Sequence, residues 1–202
     1  MTSLPIRNQV EDHLLTPKNS ALIILDYQPI QVSSIASMDR RELVTNIVAV
    51  AKTAKLYGLP IVLSTVNVKT LGNKPTIHQL TDVLEGIEAI DRTTINAWED
   101  QEFLAAVKAT GRKKLIMTAL WTEACLTYPT LDALKEGYEV YPVVDAVGGT
   151  SVEAHRSALE RVVQAGAKPT SFAQLICELQ RDWARKETAG QFAELLFAVE
   201  GR

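Results

Sequence analysis

Four times along the chain a segment with helical spacing of apolar positions ends in a glycine and gives way to an apolar, β-branched run. The segments are KLYGLPIVLSTV, KATGRKKLIMTAL, LKEGYEVYPVVDAV and VQAGAKPTSFAQL. Gly58, Gly111, Gly137 and Gly166 stand where a helix ends in the left-handed conformation that glycine adopts at least cost, and each following run has the length and composition of a strand. Two further runs, ALIILDYQ and EAIDRT, bring the expected strands to six. The runs are nearly continuous in apolar character instead of alternating, which is the pattern of a parallel sheet covered on both faces. Between them, positions such as Leu43, Val44, Ile47, Val48, Ala51 and Ala54 mark one face of a helix. Strand alternating with helix predicts an α/β fold of three layers, αβα, doubly wound with right-handed crossovers. The stretch from Lys69 to Thr76, with Gly72 and Pro75, reads as a surface loop, and no change of composition marks a boundary, so residues 1–202 read as a single domain.

Composition narrows the function classes. A chain of 202 residues with 47% hydrophobic content can bury a substantial core without disulfides or metals. Its two cysteines, Cys125 and Cys177, are too few for a disulfide framework, and the start MTSLPIRNQVEDHLL is polar, so a reducing, cytoplasmic location is expected. The longest apolar stretches fall well short of the roughly 20 residues of a membrane span. The 24 acidic and 21 basic residues are nearly balanced and the basic ones are scattered, which argues against a nucleic-acid partner and leaves a small-molecule substrate.

In open α/β sheets chemistry collects beyond the carboxyl ends of the strands. The first expected strand ends in Asp26, partly desolvated at the sheet rim and so of use as a base; capping of a loop or of the next helix is the alternative. The fourth runs from Lys113 to Leu120, and Cys125 follows in the first turn of the next helix, where unpaired N–H groups and the helix dipole would stabilise a thiolate. Thr122 is a candidate N-cap and Glu123 a first-turn acid there. A small buried apolar role is the alternative for Cys125, and Cys177 reads as core beside the stripe Phe172, Leu175, Ile176 and Leu179. Arg92, near the end of the third strand, offers a cation at the same edge or a surface ion pair with Asp91 or Asp100. His13, His78 and His155 read as structural. No metal-ligand spacing is present, and Gly148 and Gly149 lack the spacing of a dinucleotide or phosphate loop, so neither a metal nor a cofactor is expected.

The segments ALIILDYQ, RTTINAW, ALWTEACL and DAVGGTSVEAHRSALERVVQAGA together resemble the isochorismatase-like cysteine hydrolase superfamily, in particular its YcaC-like branch, from about Ala21 to Trp183. The resemblance implies a six-stranded parallel sheet in the order 3-2-1-4-5-6, a Rossmann-like arrangement, and a catalytic triad of Asp26, Arg92 and Cys125. It further implies a cis peptide at Leu120–Trp121, an oxyanion hole made by the backbone N–H groups of Trp121 and Cys125, and a homo-oligomer, for which an octamer is the YcaC-like precedent. The apolar segment Phe192 to Val199 would serve an interface or pack on its own domain. Most members carry lysine where Arg92 stands, and the metal-binding Asp and His of nicotinamidases are replaced by STVNVKTLGNK. The expected activity is cysteine-dependent amide hydrolysis, a carbon–nitrogen bond cleavage through a thioester. Its rivals are a non-catalytic binding or scaffold protein, with Trp121 narrowing the pocket, and isochorismate-type vinyl-ether hydrolysis.

Overall fold

The apolar runs form the strands of one sheet. The computed structural model, which describes residues 5–200, contains β1 (Ser20–Leu25), β2 (Ile61–Val66), β3 (Ile90–Arg92), β4 (Lys114–Ala119) and β5 (Glu139–Pro142). All neighbours are parallel and the spatial order is β3-β2-β1-β4-β5. The central strand β1 is fully buried, with Leu22 level with Ile61 on one side and Ile116 on the other.

Helices α1 (Pro29–Ser33), α2 (Arg40–Leu56), α3 (Val68–Leu71), α4 (His78–Thr81), α5 (Gln101–Ala109), α6 (Thr127–Lys135), α7 (Val152–Gln164), α8 (Phe172–Gln180) and α9 (Lys186–Glu200) surround it. Successive residues of β1 point to opposite faces, and each face has its own core. Leu22 and Ile24 pack with Ile47 and Val50 of α2, Leu175 and Ile176 of α8 and Phe192 of α9. Ala21, Ile23 and Leu25 pack with Phe103 and Val107 of α5 and Ala133 of α6. Both layers are thus present. Asp39, Asp100, Ser151 and Ser171 each accept a first-turn backbone N–H and so fix where α2, α5, α7 and α8 begin, each cap being worth about 1 kcal/mol.

The sixth strand does not form. Residues 167–170 run alongside β5, with Lys168 N–H to Val140 O (2.8 Å) and Thr170 N–H to Pro142 O (2.9 Å), but only the pair Val143 and Thr170 makes a bridge. Pro169 has no N–H to offer a ladder, and Ser171 immediately caps α8. The apolar residues beyond Pro169 therefore belong to a helix. Two other expectations are corrected. The stretch from Lys69 to Thr76 is not wholly loop, since Val68–Leu71 makes one helical turn. Cys177 is exposed on α8, not core; at about 100° per residue it lies off the stripe through Ile176.

Helix α9 packs largely on its own chain, burying Phe192 and Val199 against the α2 layer while Phe197 remains exposed. Among the described residues no helix is long and apolar enough to cross a membrane.

Candidate active site

The chain leaves β1 toward β2 and β3, then crosses to β4 and β5, so β1 and β4 flank the point at which the strand order reverses. A crevice opens at such a point in parallel sheets. Asp26 is the first residue after β1, Arg92 the last of β3, and Cys125 lies in the turn after β4. The fold brings all three to one edge.

Asp26 and Arg92 form a two-pronged ion pair, with Nη1 to Oδ1 and Nη2 to Oδ2 both at 2.7 Å and neither side chain exposed. Nη1 also donates to Thr65 O at 3.2 Å, and Nε is buried without a hydrogen-bond partner. The alternative partners of Arg92 are engaged elsewhere: Asp91 accepts from Thr65 Oγ1 and from the N–H groups of Val68 and Lys69, and Asp100 caps α5. Asp26 neither caps a helix nor faces solvent. Its backbone is left-handed, at φ 65°, a region in which aspartate is among the better tolerated side chains. The following Gln28 is buried and holds the neighbouring strand exit, accepting from Val66 N–H and donating to Val66 O and Lys74 O.

The peptide Leu120–Trp121 is cis. Residues Thr122–Leu126 form a wide π-type turn before α6 starts at Thr127, so Cys125 sits ahead of the regular helix instead of in its first turn. Pro129 gives a reason for that start. A regular helix running from Thr122 would need its missing N–H to reach the Cys125 carbonyl, whereas in the first turn of α6 no such bond is required. Thr122 is no N-cap; its hydroxyl pairs with His155 Nδ1 at 2.8 Å.

Cys125 is 8% exposed. Burial, and then the negative charge of Asp26, push the thiol well above its usual range, against the opposing pull of Arg92 and the Trp121 backbone. The expectation of a thiolate stabilised by a helix terminus is thus corrected: desolvation and a carboxylate neighbour outweigh the backbone donors. Burial and Asp26 thus favour the thiol form, and the sulfur interacts with both Asp26 and Arg92. Because the folded value is raised, the thiol's contribution to stability is present below the ordinary thiol value of 9.0 and is lost as pH rises beyond it, where only the unfolded chain ionises. Unfolding midpoints in urea should therefore fall more between pH 8 and pH 10 for the wild type than for Cys125→Ala; equal losses would contradict this placement of the thiol.

His13 is exposed and His78 opens α4. His155 is different: it lies near the start of α7, half-buried beside the turn that bears Cys125, and burial lowers its pKa. Its position just after the β5 exit loop was a signal that could have placed it at the same edge. Gly148 and Gly149 also serve close packing. A Cβ on Gly148 would come within 2.8 Å of Ile35, and one on Gly149 within 2.7 Å of Glu123 Oε2 and 3.0 Å of His155.

A parallel α/β sheet with a buried carboxylate, guanidinium and thiol gathered at its switch point is the layout of an α/β protein with a cysteine-centred site. The family model of the Isochorismatase domain matches residues 20–174, and the chain belongs to this family. It is 35% identical over 170 residues to the probable hydrolase YcaC of Escherichia coli, covering 84% of this chain and 81% of that one. The crystal structure of E. coli YcaC, described as an octameric hydrolase of unknown specificity, superposes with a TM-score of 0.81 and 30% identity over 94% of this chain and 98% of that one. YcaC from Pseudomonas aeruginosa, solved with hexane-2,5-diol and covalent acrylamide, gives the same score and identity over 93% of this chain and 98% of that one.

Proposed function

We propose that the protein is a cysteine-dependent hydrolase that cleaves the carbon–nitrogen bond of a small amide-type substrate. The observation that carries this reading is the buried contact of one thiol with a carboxylate that is itself held by two hydrogen bonds from a guanidinium. A protonated thiol needs a base at the moment of attack, and Asp26 is the base in contact. In acylation Asp26 takes the thiol proton as Sγ bonds to the carbonyl carbon, and the N–H groups of Trp121 and Cys125 receive the oxyanion. The C–N bond then breaks, the amine leaves with the proton from Asp26, and a thioester remains. In deacylation Asp26 takes a proton from water, the hydroxide attacks the thioester, and the carboxylic acid departs as the thiol regains its proton. Arg92 stays charged throughout and holds Asp26 in place.

The likeness to YcaC, a probable hydrolase in E. coli, supports the general activity, and the octamer described for that relative supports a homo-oligomer. The test is intact-mass spectrometry of the protein quenched during incubation with a panel of small primary amides. An acyl mass on the peptide containing Cys125, released by hydroxylamine, is the expected result. A second reading, a binding protein without turnover, draws on the raised thiol value and the nearly closed site; it predicts no adduct with any member of the panel.

A further inference from the structure

We propose that His155 is a positioning residue that acts through Thr122 to hold the turn bearing Cys125 against Asp26; the inference rests on the reading of Cys125 as the nucleophile. The turn is a single π-type loop, closed by Leu126 N–H to Trp121 O at 3.2 Å and by Thr127 Oγ1 to Thr122 O at 2.7 Å. One turn of this kind has few bonds of its own, so its position depends on what grips it from outside. The grip comes from residues 148–155. Thr122 N–H donates to Gly148 O at 2.9 Å, and Glu123 Oε1 accepts from Thr150 N–H at 2.9 Å and Thr150 Oγ1 at 2.6 Å. Thr122 Oγ1 meets His155 Nδ1 at 2.8 Å.

The last of these bonds is the one without a substitute. Thr122 is fully buried while His155 covers it, so truncating His155 takes away the side-chain partner of its hydroxyl and loosens the packing over the turn. The ring is also wedged in place. Glycine at 149 leaves no gap between Glu123 and His155, since even a Cβ there would approach the His155 Cα to 3.1 Å. His155 therefore fixes Thr122, and Thr122 lies three residues from Cys125 in the same turn.

The experiment measures the second-order rate of acrylamide addition to Cys125 across pH, by peptide mass spectrometry with the exposed Cys177 as control, alongside urea unfolding. In the addition the sulfur bonds to the terminal alkene carbon, the C=C bond is consumed, and the thiol proton ends on the adjacent carbon. His155→Ala and Thr122→Val should each slow the addition about 5–10-fold, a loss of the size expected for one hydrogen bond. The double variant should be no slower than either single one. His155→Asn, whose Oδ1 can accept from Thr122, should restore the rate to within about twofold. Wild-type rates in both single variants, additive losses, or faster addition would each overturn the proposal, the last by showing that the bond only shields the thiol. No addition to wild-type Cys125 would overturn the nucleophile reading and this inference with it, whereas a reactive wild type with unchanged variants would sink this inference alone.

Discussion

Arg92→Ala is expected to destabilise the fold by about 3–5 kcal/mol, the cost of stripping a buried charge of its partner. Asp26 has no solvent exposure and draws both of its strong hydrogen bonds from Arg92. Removing the guanidinium leaves a buried carboxylate beside the Cys125 thiol with no cation to balance it. Urea unfolding of the variant and the wild type gives the number. The double variant Asp26→Asn with Arg92→Met should recover most of the loss, because an amide at position 26 carries no charge to leave unpaired and asparagine also tolerates the left-handed backbone there. A single variant as stable as the wild type would mean that the pair is solvated in solution. Arg92→Lys should fall between the two, since an ammonium cannot reproduce the two-pronged geometry.

Cys125→Ala should have the opposite profile, with little effect on folding and a large one on chemistry. Loss of the sulfur from a site of this size should cost about 1 kcal/mol of stability. With any substrate found in the amide panel, turnover should fall about 10⁴-fold or more, the scale on which nucleophile deletions act. Steady-state kinetics with Cys177→Ala as the control decides it, because that residue is exposed and far along the sequence from the site. Turnover retained in Cys125→Ala would exclude the thioester route and favour direct hydration of the substrate.

The five strands and the layered architecture were legible because buried parallel strands leave continuous apolar runs, and the helix-ending glycines frame them. Four of those glycines, at 58, 111, 137 and 166, do have positive φ. The sixth run misled because Pro169 interrupts the ladder and the apolar residues beyond it turn into α8, a switch that a run of hydrophobicity does not announce. For the site, position at a strand end singled out Asp26, Arg92 and Cys125 one by one. Their shared edge follows from the strand ends, but their grouping as one triad came only with the family resemblance, since residues 26, 92 and 125 are brought together by crossovers and not by any local spacing.

The thiol's ionisation was misread for a related reason. Reasoning from a helix terminus uses the nearby backbone alone, while the outcome is set by burial and by a carboxylate 99 positions earlier in the sequence. His155 reads as structural because a lone histidine in an amphipathic segment carries no chemical signature; its place after the β5 exit loop points to the right edge, and its contact with Thr122 gives it a partner there.

Asp26, Arg92 and Cys125 share one buried pocket of charge. With the proton on sulfur the three groups sum to zero, one carboxylate against one guanidinium. With the proton moved to Asp26 they again sum to zero, one thiolate against the same guanidinium. On the proposed mechanism, moving the proton from sulfur to Asp26 would therefore rotate a dipole within a neutral cavity instead of creating a buried ion, and the steep solvation cost of a lone charge in a medium of low polarity would not arise. An always-charged arginine keeps that balance at every working pH.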